Sequence, residues 1–178
     1  MKARLYLRNQ QRVRRVNRKY LAGIIESLLR GELRCESYAL AVYLVDATTM
    51  ARINETHLRH RGPTDVIAFD YADSASPALL AGEVFVCVDE AVRQAPKYET
   101  TWQSELVRYA AHGILHLCGY DDQKPAARRK MKARESAVVR LLASRFDFAR
   151  IGWQRSESHR GLPHSKTPTR KPTRSCVR

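Results

Sequence analysis

Two histidines, His112 and His116, stand four residues apart in the run Arg108-Tyr109-Ala110-Ala111-His112-Gly113-Ile114-Leu115-His116-Leu117-Cys118-Gly119-Tyr120-Asp121-Asp122. On a helix that spacing puts both imidazoles on one face, one above the other. Two neutral imidazoles so placed can bind one zinc ion from the same side. Gly119 supplies a stop, because glycine accepts the left-handed conformation that ends a helix. Beyond the stop the chain can fold back, and Asp122 brings a carboxylate three residues later. A histidine pair alone at this spacing is more often a satisfied part of an apolar core. The glycine and the carboxylate at the following offsets favour ligation. Three protein ligands leave zinc a position for water, the mark of a catalytic site, where the ion lowers the water's pKa or polarises a phosphoryl oxygen. Cys118, two residues after His116, points to the other side of the helix and reads as core.

The spacing resembles the long zincin motif, in which the residue after the first histidine is a glutamate acting as general base. Here that residue is Gly113, which weighs against a peptidase. The string from His112 to Asp121 instead resembles the signature H-G-x-L-H-L-x-G-Y-D-H of the YbeY family of metal-dependent rRNA-processing endoribonucleases. The likeness spans roughly residues 36–145. It includes Pro63-Thr64-Asp65-Val66-Ile67-Ala68-Phe69, close to the family's P-T-D-V-L-S-F, and Gly82-Glu83-Val84, close to its G-D-I. The resemblance implies an α/β sandwich with a small mixed sheet of about four strands covered by helices, and a metal cleft at the end of a buried helix. It further implies a single-strand-specific endoribonuclease of rRNA 3′-end maturation and ribosome quality control. Such an enzyme would carry one Zn²⁺ per chain, with rRNA, ribosomal particles and ribosomal proteins as partners.

Two departures from the family pattern matter. Most members have histidine as third ligand where this chain has Asp122, and a carboxylate oxygen serves zinc at about 2.0–2.2 Å. Asp121 is the neighbouring alternative, but it matches the aspartate that precedes the family's third ligand. The family's functional arginine lies in a Y-R-G-x-D-K-P-T segment. Counting back from Pro63, its slot holds Leu58, and a one-residue shift lets Arg59 serve, with Arg61 close by. Two other readings remain open: a non-catalytic ribosome-assembly factor with a structural metal, and a hydrolase of another substrate.

The charge distribution fits a polyanionic partner. Of a net +14, residues 1–19 carry eight basic residues and no acid, and residues 151–178 carry seven basic residues against Glu157. Between them, residues 20–150 balance 17 basic against 17 acidic side chains. Basic ends neutralise phosphates and release counterions, although they also serve simply to solubilise. The expected organisation is one domain over residues 1–150 and a disordered cationic tail over 151–178, too poor in apolar groups to offset its ordering entropy. No stretch approaches the roughly 18 apolar residues of a membrane span, and no apolar signal core opens the chain. The four cysteines form no C-x-x-C pair, so a reducing cytoplasm is the expected location.

The elements that must hold the site follow from periodicity. Leu5 and Leu7 alternate in a first, edge strand. Val13, Val16, Tyr20, Ile24 and Leu28 recur at helical steps, predicting a helix from about Arg12 to Arg30 that ends at Gly31 and carries a basic face. Tyr38–Val45 reads as a central strand. Ala47 to about Leu58 reads as a helix capped near Thr48 or Thr49, and Arg59–Thr64 as a basic turn. Asp65–Tyr71 and Gly82–Val88 follow as strands around a loop at 72–81. Asp89 should cap a helix through about Tyr98. Thr100 or Thr101 should cap the helix that runs to Cys118, buried nearly all round because Arg108 is its only ionised side chain after Leu106. A last helix spans about Pro125 to Arg145.

Overall fold

A computed structural model describes residues 3–72 and 79–152. Four strands form one mixed sheet: β1 (Arg4–Asn9), β2 (Tyr38–Val45), β3 (Val66–Asp70) and β4 (Leu80–Cys87), in the order β1-β2-β4-β3. β1, β2 and β4 run parallel, and β3 pairs antiparallel with β4. Among the described residues five α-helices complete the fold: α1 (Arg18–Ser27), α2 (Ala47–Ile53), α3 (Val88–Gln94), α4 (Trp102–Leu117) and α5 (Pro125–Arg145). The α/β architecture with four strands and a mixed sheet is the one expected. The expected tail lies outside the described residues from position 153 onward.

Leu40, Val42 and Leu44 of β2, with Val84 and Val86 of β4, are buried on one sheet face against Leu106, Ala110, Ile114 and Leu117 of α4. The alternation of β2 is what sorts these side chains to one face. α4 is buried on nearly every side, including Glu105, Val107, Tyr109, Ala111 and Gly113, as its composition required. It reaches the sheet closely because Gly113 and Gly82 lack side chains. A Cβ on Gly82 would meet the Phe69 carbonyl oxygen at 2.5 Å and Leu117 at 2.9 Å.

At three helices the start or its cap differs from expectation, and in each a side-chain hydrogen bond is involved. α1 begins at Arg18, not Arg12. The Gln11 carboxamide accepts from Arg14 N–H at 2.9 Å and donates to the Arg14 carbonyl at 2.8 Å, folding this stretch into a turn. Val16 then forms an antiparallel bridge to Gly152, and Asn17 caps the helix by accepting from Tyr20 N–H. Arg12, Arg14 and Arg15 therefore sit ahead of the helix rather than on its face, and Gly31 lies inside a widened π turn (Leu28–Glu32) that extends it. α2 is capped by Asp46, whose carboxylate accepts from Thr49 N–H at 2.8 Å, and not by either threonine. Asp89, expected to cap α3, reaches across to accept from Ala47 N–H at 2.8 Å, so it supports α2 instead. α3 starts from Cys87 with no side-chain cap.

The Asp46 cap yields a measurable expectation. The Thr49 hydrogen bond holds the Asp46 carboxyl below its ordinary value. Its contribution is therefore complete above the ordinary carboxylate range and is lost as pH falls through the lowered value. Asp46→Ala should cost about 1 kcal/mol at neutral pH. In urea titrations the gap between the two proteins should close in acid, and a gap that persists there would assign the loss to packing instead.

Candidate metal centre

The C-terminal turn of α4 builds the site. Gly119 takes φ +82°, and the N–H groups of Gly119 and Tyr120 return to the carbonyls of His116 and Leu115 at 2.9 and 3.1 Å. This is the glycine stop that the spacing predicted. The turn points the Tyr120 carbonyl at His116 Nδ1, 3.0 Å away. It also swings Asp122 over the two imidazoles.

The Nε2 atoms of His112 and His116 face one another at 3.1 Å. The Asp122 carboxylate lies 3.8 Å from His112 Nε2 through one oxygen and 3.9 Å from His116 Nε2 through the other. Tetrahedral ligands about 2.0–2.1 Å from one ion stand roughly 3.3 Å apart, so the three donor groups fit a zinc-sized cation after sub-ångström adjustments. Among the described residues this trio is the one group of three such side chains able to hold a metal. The Asp121 carboxylate instead accepts from Gln123 N–H at 3.1 Å.

Each imidazole is held from behind. His112 Nδ1 lies 2.8 Å from Glu135 Oε2, and Glu135 Oε1 accepts from Arg108 at 2.8 Å. With Nδ1 carrying the proton on both rings, both Nε2 lone pairs point into the shared space. A carboxylate behind a histidine ligand fixes its tautomer and raises its basicity. Burial lowers the His112 pKa, and the hydrogen bond and charge of Glu135 more than offset this, leaving it above the ordinary imidazole value. Burial acts on Glu135 in the opposite sense, raising its pKa, but its bonds to His112 and Arg108 bring it below the usual carboxylate value.

Glu135 was not foreseen. It lies 23 residues beyond His112, on another helix, so no local spacing relates the two. A signal did exist: Met131, Glu135, Val138 and Leu142 form the buried stripe of α5, and an acid on an apolar stripe needs a partner. Asp65 is a second unforeseen lining residue, its carboxylate held by Thr64 Oγ1 and Val66 N–H at 2.9 Å each.

A cavity of about 540 Å³ opens beside the trio, lined by Asp65, Tyr98, Arg108, His112, Asp122, Arg128, Lys132 and Glu135 among others. Arg128 donates to the Asp122 carbonyl at 2.8 Å. Arg59 does not line this cavity. It ends the π turn (Asn54–Leu58) that continues α2, exposed and in the left-handed conformation at φ +58°. The Cys118 thiol is pushed up to about 12 by burial, with Cys35 beside it, as befits a thiol packed against the core.

The carboxylate can be probed directly. Asp122→His should retain the metal, Asp122→Ala should weaken its binding, and Asp121→Ala should do less than either. Zinc titration of the three proteins checks this order, and loss of metal from Asp121→Ala alone would reverse the assignment.

Comparisons with known proteins converge on one family. The family described as endoribonuclease YbeY matches residues 6–143. A Chlorobium luteolum endoribonuclease YbeY is 34% identical over 129 residues, covering 72% of this chain and 91% of that protein. One from Salinibacter ruber is 32% identical over 132 residues, covering 69% and 84%. The fold is also that of a solution structure from Thermotoga maritima, with a TM-score of 0.58 at 22% identity over 80% of this chain and 91% of the other. The matched span holds nearly all of the sheet, the histidine helix, the glycine stop and the carboxylate, and the chain belongs to the endoribonuclease YbeY family.

Proposed function

We propose that this chain is an endoribonuclease that cuts single-stranded RNA in rRNA 3′-end maturation and ribosome quality control, with one zinc ion on His112, His116 and Asp122. The observation that carries this reading is the convergence of the two Nε2 atoms and the Asp122 carboxylate, with both Nδ1 atoms turned to fixed acceptors. A bound zinc ion supplies Lewis acidity toward a phosphoryl oxygen and a lowered pKa for water.

The chain's own residues supply the rest. Glu135 and the Tyr120 carbonyl keep the protons on Nδ1, and Arg108 neutralises Glu135 so that this carboxylate does not repel the substrate. Lys132 and Arg128 line the cavity and offer cations to the RNA backbone. Arg59, exposed in the basic turn before β3 and outside the cavity lining, is the arginine this reading assigns to the phosphate charge that grows in the transition state, which it would have to approach from that turn. Residues 1–150 form the catalytic unit in this reading, and 151–178 a basic tether for rRNA and ribosomal particles in the cytoplasm.

Comparison of rRNA precursors in cells carrying the intact chain or His112→Ala tests the function. Accumulated precursors with unprocessed 3′ ends are expected in the variant. Identical precursor patterns, with purified protein inert on single-stranded RNA, would overturn it.

A further inference from the structure

The sheet has a second face, and among the described residues it is only partly covered. Parallel strands are ordinarily covered on both faces. Here Met50 and Ile53 of α2 pack with Val45, Ile67 and Cys87 at one end, and Tyr43, Phe69 and Phe85 border that cluster. From this cluster a row of rings runs toward the β1 edge, one step per strand. Tyr6 of β1 meets Tyr43 of β2 edge-on at 6.2 Å, Tyr43 stacks on Phe85 of β4 at 4.7 Å, and Phe85 meets Phe69 of β3 at 5.9 Å. His57 continues the row, edge-on to Phe69 at 5.2 Å, two residues before the basic turn that begins at Arg59. Tyr6 is 54% exposed.

Cations flank this row. Arg4 and Arg8 are exposed on either side of Tyr6 and share its face by strand alternation. Neither has an ion-pair partner among the described residues. At the far end stand the exposed Arg59 and Arg61. A row of half-buried rings that opens at Tyr6, bordered by exposed arginines, fits a polymer that alternates flat bases with phosphates. Sequence-tolerant single-strand binding uses this combination of stacking platform and basic border.

We propose that this sheet face is a second binding surface for single-stranded RNA, separate from the metal cleft. Bases stack on Tyr6 and Tyr43, and Arg4 and Arg8 hold the phosphates beside them. The row leads to the turn at 59–61, and four residues after Arg61 the chain reaches Asp65 in the cleft lining. A strand lying on the platform is thereby delivered toward the metal. The ribonuclease reading supplies only the kind of polymer.

The test is fluorescence anisotropy of the full chain with a labelled single-stranded RNA of about 12 nucleotides, its integrity checked on a gel at each point. Tyr6→Ala should weaken binding roughly 5- to 150-fold, and Tyr6→Phe, which keeps the ring, should restore it. Arg4→Gln/Arg8→Gln should flatten the salt dependence by about 0.7 for each phosphate no longer neutralised, and it keeps the test available if Tyr6→Ala folds poorly. Cleavage of a short oligonucleotide at saturating concentration should not change in any of these variants, because none of them touches the metal trio. Unchanged affinity in Tyr6→Ala together with an unchanged salt slope in the arginine variant would overturn the proposal and leave the face to a protein partner. If the intact chain cuts no RNA while Tyr6→Ala still loses binding, the ribonuclease reading fails and the platform stands.

Discussion

A chain carrying His112→Ala and His116→Ala is expected to purify without zinc and to cut no RNA, with its fold intact. The double substitution removes two of three donors from a site whose remaining carboxylate is part-exposed. One carboxylate alone holds a divalent ion weakly. The fold should survive because both histidines lie at the cleft and the core of α4 is made by Leu106, Ala110, Ile114 and Leu117. Glu135 keeps its bond to Arg108, so no buried charge is orphaned. Glu135→Gln is the graded companion: it keeps all three donors but alters the support behind His112, and should weaken metal binding about 10- to 100-fold. Elemental analysis with circular dichroism reads both. Stoichiometric zinc in the double variant would place the metal elsewhere.

Gly113→Glu, which would install a zincin-type base after the first histidine, should fail to fold, and even Gly113→Ala should lower the melting temperature. Helix propensity argues the other way, since alanine gains about 1 kcal/mol over glycine inside a helix. Packing decides the sign. A Cβ on Gly113 would stand 2.5 Å from Val84 Cγ1 and 2.8 Å from Val66 Cγ2, and β-branched side chains cannot rotate away freely. Overpacking of this kind costs about 1–3 kcal/mol, enough to cancel the propensity gain and leave a net loss. The glutamate would add a carboxylate buried without a partner, several kcal/mol more. Thermal denaturation of Gly113→Ala is the sharper measurement, because a melting temperature above that of the parent would show that α4 can lift from the sheet. The position next to His112 therefore cannot carry the base, because the sheet packs directly against it.

Much of the site could be read from the chain because its geometry is local. His112, His116, Gly119 and Asp122 lie within eleven residues, and helix period plus a glycine stop relates them without any long-range contact. The strand Tyr38–Val45 and the helix Pro125–Arg145 were legible for a similar reason, since hydrophobic pattern and proline position reflect backbone geometry alone. What tertiary structure decided involves partners distant in sequence. Asp89 turned to α2, Val16 bridged to Gly152 ahead of α1, and Glu135 came from α5 to hold His112, each choice set by which hydrogen-bond partner lay nearby in space. The open aromatic face belongs to the same class. Tyr6, Tyr43, Phe85 and Phe69 are spread over 80 positions of the chain, and only the strand order β1-β2-β4-β3 makes them neighbours. A periodic pattern tells which side of its own element a residue occupies; the pairing of elements alone tells what stands opposite.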